Sequence, residues 1–166
     1  MTDARPLALH RETVIEDWID YNGHMNLAYY ALVFDHATDA LLDHVGLDAA
    51  HRDAAGGSVF VVESHVTYGA EVMRGEEMKI ETRVLDVGGK RLRLFHEMYV
   101  TRAGAGRTRA AANELLILHV NLASRRTAPF PAAILEALQI LKAGHDALLP
   151  PPEAGRGIAF ERPKHP

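Results

Sequence analysis

The segment "NLAYYALVFDHATDALLDHVG", residues 26–46, decides the fold. Within it, mostly apolar residues recur every three or four positions, as they do along one side of a helix: Leu27, Tyr30, Ala31, Phe34, Thr38, Leu41, Leu42 and Val45. This period predicts an α-helix of about five turns that is largely buried. Asn26 stands where an N-cap belongs, and Gly46 stands where a helix commonly stops. The segment therefore predicts one long helix at the centre of the fold.

The sequence on either side of this helix favours β-strands. One strand is predicted before the helix and four after it, at residues 7–15, 58–68, 77–87, 90–102 and 108–122. Gly88-Gly89 and "AGAG" at 103–106 are typical of hairpin turns, so the four later strands are expected to form a meander. This order predicts an α+β fold in which an antiparallel sheet wraps around the central helix.

Three segments lie outside this sheet and helix. Residues 47–57, "LDAAHRDAAGG", indicate a mobile connection. Residues 131–145 predict a C-terminal helix with Pro131 in its first turn, and the Pro- and Gly-rich tail after it is expected to be irregular. We therefore expect a single domain over residues 1–150 and a tail over residues 151–166.

Composition limits the possible functions. The chain has 166 residues, is 48% hydrophobic and carries a formal net charge of -4, so nothing indicates a nucleic-acid partner. It has no cysteine, which excludes disulfides, thiolate catalysis and thiolate zinc sites. The first ten residues lack the apolar core of a signal peptide, and no apolar stretch could span a bilayer. We expect a cytoplasmic protein that does not bind membranes.

Polar residues crowd the start of the predicted helix. Asp20 precedes it closely, and the amides of the first turn, from about Leu27 onward, point toward any group that approaches this end. A carbonyl oxygen placed there would be polarised by an amide donor and the helix dipole, while the carboxylate attacks the carbon or activates water. Taken singly, Asn26 could merely cap the helix and Gly23 merely form a turn. Together the residues indicate an acyl-transfer site.

The same residues resemble a known family. "DYNGHMN", residues 20–26, followed by Tyr29-Tyr30 and a long helix, is similar to the acyl-CoA thioesterases of hot-dog fold, in the 4-hydroxybenzoyl-CoA thioesterase-like group. The resemblance implies a hot-dog fold, hydrolysis of an acyl-CoA without cofactor, and homodimers or homotetramers with sites between subunits. It implies that Asp20, rather than the nearby Asp17, is the catalytic acid. The other catalytic positions that it implies are Gly23, His24, Asn26 and Leu27.

Four stretches resemble one branch of this group, linked with carnitine breakdown: "WIDYNGHMN", "ATDALL", "VVESHVTY" and "KRLRLFHEM". Members of that branch are taken to act on betainyl-CoA, whose acyl group carries a quaternary ammonium. Aromatic faces and a nearby carboxylate suit such a cation. The expected substrate-binding residues are Trp18, Tyr21, Tyr29, Glu63, His65 and Tyr68. The expected contacts to the CoA phosphates are Lys90, Arg91 and Arg93.

Other functions stay open from the residues alone. The chain could be a general thioesterase for short- or medium-chain or aromatic acyl-CoA, or a non-catalytic module that binds acyl-CoA. A hydratase on the same fold would need a histidine and an acid on the central helix, for which Asp35-His36 is the candidate.

The chain has ten histidines, so a metal site has to be considered. There is no HExxH motif, and His36 and His44 lie two turns apart on the predicted helix. His65, His96 and His119 fall on three different predicted strands. We therefore expect no metal site.

Overall fold

The computed structural model describes residues 4–160. Its helices are α1 (Leu27–His44), α2 (Ala49–Ala55) and α3 (Ala132–His145), with a 3-10 turn at Glu16–Trp18. Its strands are β1 (Leu7–Thr13), β2 (Gly57–Tyr68), β3 (Glu77–Val87), β4 (Arg91–Arg102), β5 (Gly106–Asn121) and β6 (Arg126–Thr127). Within the described residues, no helix is long and apolar enough to cross a membrane.

The long helix α1 packs against one face of the sheet, which we call the inner face. Its buried side is formed by Tyr30, Val33, Phe34, Ala37, Thr38, Leu41 and Leu42. The prediction of a buried helix is correct, but Leu27 and Ala31 are exposed and Val33 is buried instead. The reason is that α1 is apolar on several sides near its start, so the period alone does not select which side faces the core.

All six strands belong to one antiparallel sheet with the order β1-β3-β4-β5-β2, and β6 pairs with β5. The expected meander holds for β3, β4 and β5 only. β2 pairs with β5, from Gly57 opposite Asn121 to Tyr68 opposite Ala111, and is not a neighbour of β3. β1 and β2 thus form the two edges of the sheet on either side of its centre, although the helix α1 separates them in sequence.

The expectation of a mobile connection at residues 47–57 is wrong, because this segment contains α2. Asp48 caps it by accepting the His51 N–H at 2.9 Å, and Gly56 ends it in the left-handed conformation with φ 62°. The helix has only seven residues. A helix of this length is too short to show an apolar period, so the N-cap residue Asp48 was its only sign in the sequence.

The C-terminal helix α3 closes the other end of the core. Pro131 takes its N-cap position, and Ile134 and Leu138 pack with residues of α1 and the sheet. At its end, His145 Nδ1 accepts the Val84 N–H of β3 at 2.9 Å. Burial lowers the pKa of His145, and the charge of Arg83 adds to this effect, so the neutral ring that accepts this bond is favoured.

The outer face of the sheet, away from α1, carries paired charges. Arg109 forms a two-bond ion pair with Glu153 of the tail, at 2.8 and 3.0 Å, and contacts Glu97 at 2.9 Å. The tail is also held where the Gly155 N–H donates to Glu114 at 2.7 Å. The described part of the tail has no helix or strand, as predicted, yet it is tied to the sheet at these two points.

Candidate active site

A tight loop precedes α1 and presents Asp20. The Asp20 N–H donates to His24 O at 3.1 Å, and the Gly23 N–H donates back to Asp20 O at 2.9 Å. Gly23 has φ 83°, a conformation that favours glycine, so the predicted turn at this position is present for a physical reason. The loop closes where Ile19 and Met25 form an isolated antiparallel bridge.

Both carboxylate oxygens of Asp20 are held by donors. The Asn22 N–H donates to Oδ1 at 2.8 Å, and Asn26 Nδ2 donates to Oδ2 at 3.2 Å. Asn26 also caps α1, because its Oδ1 accepts the Ala28 N–H at 3.0 Å. One side chain therefore connects the carboxylate to the start of the helix, which fixes their relative position.

The first turn of α1 leaves one amide without an acceptor. The Asn26 N–H donates to Trp18 O, the Ala28 N–H to Asn26 Oδ1 and the Tyr29 N–H to Asn26 O. Within residues 4–160, no acceptor is found for the Leu27 N–H. Since the positive end of the helix dipole adds to this donor, a carbonyl oxygen could be polarised there. The predicted role of Leu27 would therefore rest on its backbone N–H, and its side chain is exposed.

A cavity of about 310 Å³ opens beside this helix start. It is lined by His24, Met25, Leu27, Tyr30, Tyr68, Gly69, Ala70 and Glu71. Three of the predicted site residues, His24, Leu27 and Tyr68, meet here. Asp20 and Asn26 do not line it, but the Asp20 N–H donates to O of His24, which does. The space is large enough for a short acyl group, which fits a thioester carbonyl at the Leu27 amide.

Five residues of this cavity were not among the predicted site residues: Met25, Tyr30, Gly69, Ala70 and Glu71. Tyr30 and Glu71 are the two that bear on its chemistry. Tyr30 donates to Ala70 O at 3.3 Å and accepts the Val72 N–H at 3.1 Å, so it holds residues 69–72 against α1. Burial raises the pKa of Tyr30, which keeps the hydroxyl protonated as this donor. Glu71 is thereby placed with its carboxylate 3.7 Å from His24 Nε2. The period predicted only a core role for Tyr30, and nothing in the sequence indicates that residues 69–72 fold back on the helix.

The aromatic residues predicted around the head group separate in the structure. Trp18 is buried and stacks on Tyr29, with ring centroids 5.2 Å apart and planes 14° apart. The Trp18 side chain does not line the cavity. Tyr21 is 97% exposed and points away from the rest of its own chain. Tyr68 alone of these predicted aromatics lines the cavity, where it packs edge-on against Tyr30 at 5.2 Å.

Glu63 and His65 both lie on the outer face of the sheet, beside Glu114 of β5. They line a second cavity of about 250 Å³ with Arg93 and Glu114, and this cavity shares no residue with the first. The two residues therefore do not join Asp20 within one protomer. Their expected part in the acyl pocket would require a second copy of the chain.

The predicted phosphate contacts lie at the far end of the sheet. Arg91 pairs with Leu118 of β5, whereas Tyr68 beside the helix start pairs with Ala111, seven residues away along the strand. That separation is roughly 23 Å at the usual rise of a strand. Lys90 donates to Thr127 at 3.2 Å and Arg91 is exposed.

Arg93 differs from these two basic residues because its charge is already matched. It forms ion pairs with Asp86 at 2.9 Å and Glu114 at 2.5 Å. The pKa of Arg93 is raised: burial acts to lower it, but the hydrogen bonds to these two carboxylates outweigh that effect. A phosphate would have to compete with both carboxylates, which argues against Arg93 as a phosphate contact.

The rival candidates of the sequence analysis do not join the candidate active site. Asp17 is exposed in the 3-10 turn. His36 turns toward β1, where it bonds Glu12 at 2.8 Å, so Asp35-His36 is not part of the cavity. His65, His96 and His119 do not converge: His65 lies on the outer face, His96 is buried between Thr38 and Thr82, and His119 bonds Ala128 O.

Comparison with known proteins agrees with this geometry. A family model described as the thioesterase-like superfamily matches residues 14–138. A betainyl-CoA thioesterase of Pseudomonas aeruginosa is 40% identical over 154 residues, which are 93% of this chain and 95% of that protein. An Agrobacterium fabrum protein named L-carnitine dehydrogenase/betainyl-CoA thioesterase is 44% identical over 96% of this chain. This match spans 32% of that longer protein.

Solved structures show the same fold. A Staphylococcus aureus protein in complex with CoA superposes with a TM-score of 0.86 at 25% identity, covering 97% of this chain and 100% of the other. A Pseudomonas putida KT2440 protein, provisionally described as a thioesterase, superposes with a TM-score of 0.80 at 38% identity, covering 95% and 98%. The expected hot-dog architecture, a sheet around a central helix with a C-terminal helix, is confirmed.

Proposed function

The chain belongs to the thioesterase-like superfamily and is a thioester hydrolase, and we propose that its substrate is betainyl-CoA. The observation that carries the mechanism is the placement of Asp20 by Asn22 and Asn26 next to the start of α1. The names of the relatives support the acyl group, since the two described above are both named for activity on betainyl-CoA.

In the proposed reaction, the thioester carbonyl oxygen accepts the Leu27 N–H at the helix start. Negative charge that develops on this oxygen is stabilised by that amide and the helix dipole. Asp20 either attacks the carbonyl carbon or takes a proton from an attacking water, and coenzyme A leaves as the thiolate. If Asp20 attacks, a water molecule then hydrolyses the resulting acyl–aspartyl anhydride and frees the carboxylate; by either route the products are betaine and free CoA. Asn22 and Asn26 hold the carboxylate in place for either route, and no metal or other cofactor takes part.

The cavity beside Leu27 suits a short acyl group that ends in a cation. Tyr68 and Tyr30 supply aromatic surface, and Glu71 supplies a carboxylate at the cavity wall. An aromatic face contributes roughly 1–2 kcal/mol to binding a quaternary ammonium once water is excluded. Glu71 thus takes the part that the sequence analysis gave to Glu63, and Tyr68 keeps its predicted part.

We also propose that the enzyme is at least a homodimer and that the site is completed by the second copy. The edge strand β2 exposes Phe60, Val61 and Val62, by 38%, 43% and 52%, and no strand within residues 4–160 pairs with its outer edge. An exposed apolar edge strand favours pairing with another chain. Such a partner could bring Tyr21, Glu63 or Lys90 toward a site that they do not reach in their own protomer. A cytoplasmic location stays a prediction of the sequence.

Matched substrates test the proposed acyl group. Betainyl-CoA and 3,3-dimethylbutyryl-CoA have nearly the same shape, but the second replaces the trimethylammonium by a neutral tert-butyl group. We expect kcat/KM for betainyl-CoA to exceed that for the neutral ester by at least about tenfold, since two aromatic faces and a carboxylate favour the cation. Equal values of kcat/KM would mean that the pocket recognises shape alone, and a general short-chain thioesterase would replace this proposal.

The variant Glu71→Gln tests whether Glu71 contributes to the preference for betainyl-CoA over the neutral ester. It removes a negative charge at the cavity wall and should reduce the ratio of the two kcat/KM values about threefold, the modest effect expected of an exposed carboxylate. The matched control is Glu136→Gln, an exposed position on α3, which should leave the ratio unchanged. A ratio that falls equally in both variants would exclude Glu71 from recognition of the head group.

A further inference from the structure

A cluster of two histidines and a glutamate lies between β1 and α1, outside the candidate active site. His10 and Glu12 are alternate residues of β1 and stand opposite Ile80 and Met78 of β3. Both of those side chains are fully buried in the core with residues of α1, so His10 and Glu12 also face the helix. His36 approaches them from α1, and three side chains from two elements thus meet.

The three side chains converge on one carboxylate oxygen. Glu12 Oε2 lies 2.9 Å from His10 Nε2 and 2.8 Å from His36 Nδ1. The two imidazole rings meet edge-on, with centroids 5.8 Å apart and planes at 71°. The two ring nitrogens and the carboxylate oxygen all lie within 4.8 Å of one another. Two donor atoms that could serve as metal ligands therefore already point at the third.

We propose that His10, Glu12 and His36 bind a divalent transition-metal ion of the zinc class through His10 Nε2, His36 Nδ1 and a carboxylate oxygen of Glu12. Two imidazoles and one carboxylate form a ligand set that zinc accepts, with a water molecule as the fourth ligand. Bonds of roughly 2.0–2.2 Å in a tetrahedral site place neighbouring ligand atoms about 3.4 Å apart. The observed nitrogen–oxygen distances therefore need to lengthen by only about half an ångström.

The cluster is accessible to an ion from solvent. The side chains of His10, Glu12 and His36 are 20%, 23% and 38% exposed, so one side of the cluster is open to a water ligand and to an entering ion.

Such an ion would fasten the edge strand β1 to the central helix. His36 follows Leu27 by nine residues, which is about 14 Å along the axis of α1. At this distance the ion contacts neither Asp20 nor the Leu27 amide. We therefore expect it to stabilise the fold while thioester hydrolysis proceeds without it, and a chelator should leave turnover unchanged.

Titration of the purified full-length protein with zinc and with cobalt tests the site. We expect one saturable equivalent by calorimetry, a cobalt absorption spectrum typical of tetrahedral nitrogen and oxygen ligands, and a melting temperature raised by roughly 5 °C at hundredfold excess over Kd. Absence of saturable binding by the wild-type protein would overturn the proposal directly.

Variants then locate the ion. His10→Asn, Glu12→Gln and His36→Asn each remove one ligand and should each weaken binding by at least about tenfold. His44→Asn, at an exposed position on the same helix, is the matched control and should bind as wild type does. Circular dichroism without metal shows which variants are folded, and three independent variants keep the test decisive if one is not. Equal binding by wild type and the folded ligand variants would mean adventitious binding to surface histidines and would overturn the site.

Discussion

Among single residues, Asn26 has two contacts that matter for the reaction. Its Oδ1 accepts the Ala28 N–H and begins α1, while its Nδ2 donates to Asp20. The side chain thus links Asp20, the proposed acid, to the helix start, where the carbonyl oxygen is proposed to bind. Sequence analysis predicted the cap and the carboxylate separately, because the cap follows from position before an apolar period. The bond between them depends on the turn at Gly23, whose geometry only the structure gives.

Asp20 is the first residue to test. Asp20→Asn keeps the size of the side chain and removes its negative charge, so neither nucleophilic attack nor proton abstraction remains. We expect kcat to fall at least about a hundredfold while the circular dichroism spectrum stays that of the wild type. Asp17→Asn, an acid in the adjacent 3-10 turn, is the control and should retain activity. Turnover by Asp20→Asn at the wild-type rate would rule out the proposed mechanism.

Two substitutions of Asn26 separate its two contacts. Asn26→Asp retains an oxygen that caps α1 but loses the donor to Asp20, so we expect kcat to fall by about tenfold with the free energy of unfolding nearly unchanged. Asn26→Ala loses both contacts and should in addition lose about 1 kcal/mol of stability. Urea unfolding and steady-state kinetics on both proteins measure the two effects. If Asn26→Asp is fully active, the bond to Asp20 is not needed for catalysis.

At the level of secondary-structure elements, a buried histidine fixes α1 to the sheet. His96 of β4 lies 2.9 Å from Thr38 Oγ1 of α1 and 2.8 Å from Thr82 Oγ1 of β3, and its ring stacks on Phe34. The Thr38 hydroxyl donates to Phe34 O, so its oxygen is free to accept a proton from Nε2 of His96. Nδ1 of His96 can then accept from the Thr82 hydroxyl. A neutral His96 ring therefore satisfies both threonines. Complete burial lowers the pKa of His96 to about 3.

This burial predicts loss of stability in acid. Between about pH 6.5 and pH 3 the unfolded chain protonates this histidine and the folded chain does not, so falling pH favours unfolding by up to about 1.4 kcal/mol per pH unit. His96→Gln removes this proton uptake and should flatten the dependence of the unfolding free energy on pH. Urea unfolding at several pH values and one protein concentration measures the slopes. His44→Gln is the exposed control, and a slope unchanged in His96→Gln would contradict the assignment.

The elements differ in how well the sequence predicts them, for physical reasons. Strands β2 to β5 and helices α1 and α3 were predicted nearly to their ends, since each has a long apolar period or a clear turn on either side. α2 was missed because seven residues are too few to show a period. β2 was given the wrong neighbour, because consecutive strands commonly pair and only the tertiary structure places β2 beside β5. The same limit hid Glu71, whose position depends on Tyr30 rather than on its own neighbours in sequence.

In the molecule as a whole, predicted site residues are distributed over both faces and both ends of the sheet. Leu27 and Tyr68 line the cavity at one end of α1, and Asp20 is bonded to Asn26 at the same helix start. Glu63 and His65 lie on the outer face and Lys90 at the far end of the sheet. An enzyme that uses both sets needs two copies, and the exposed apolar edge β2 offers the surface on which they could meet.

Assembly is tested at this edge. We expect light scattering to give at least twice the chain mass of 18.3 kDa. Val62→Lys places a charge on the exposed edge and should yield monomers with at least about tenfold lower kcat/KM, since the partner would no longer complete the site. Ile140→Lys, at a 66% exposed position of α3, is the control and should remain assembled and active. A wild-type mass of one chain at micromolar concentration would exclude the dimer.

The tail that crosses the outer face has a consequence for how many copies can gather. Glu153 and Gly155 lie over Arg109 and Glu114 at the middle of the sheet, where a neighbouring sheet would otherwise stack. Stacked sheets stand about 10 Å apart, which leaves no room for an intervening segment of chain. Residues 153–155 thus occupy the surface on which a second sheet would pack. We therefore expect assembly beyond a pair to use the helical side or the strand edges, unless this segment first lifts away.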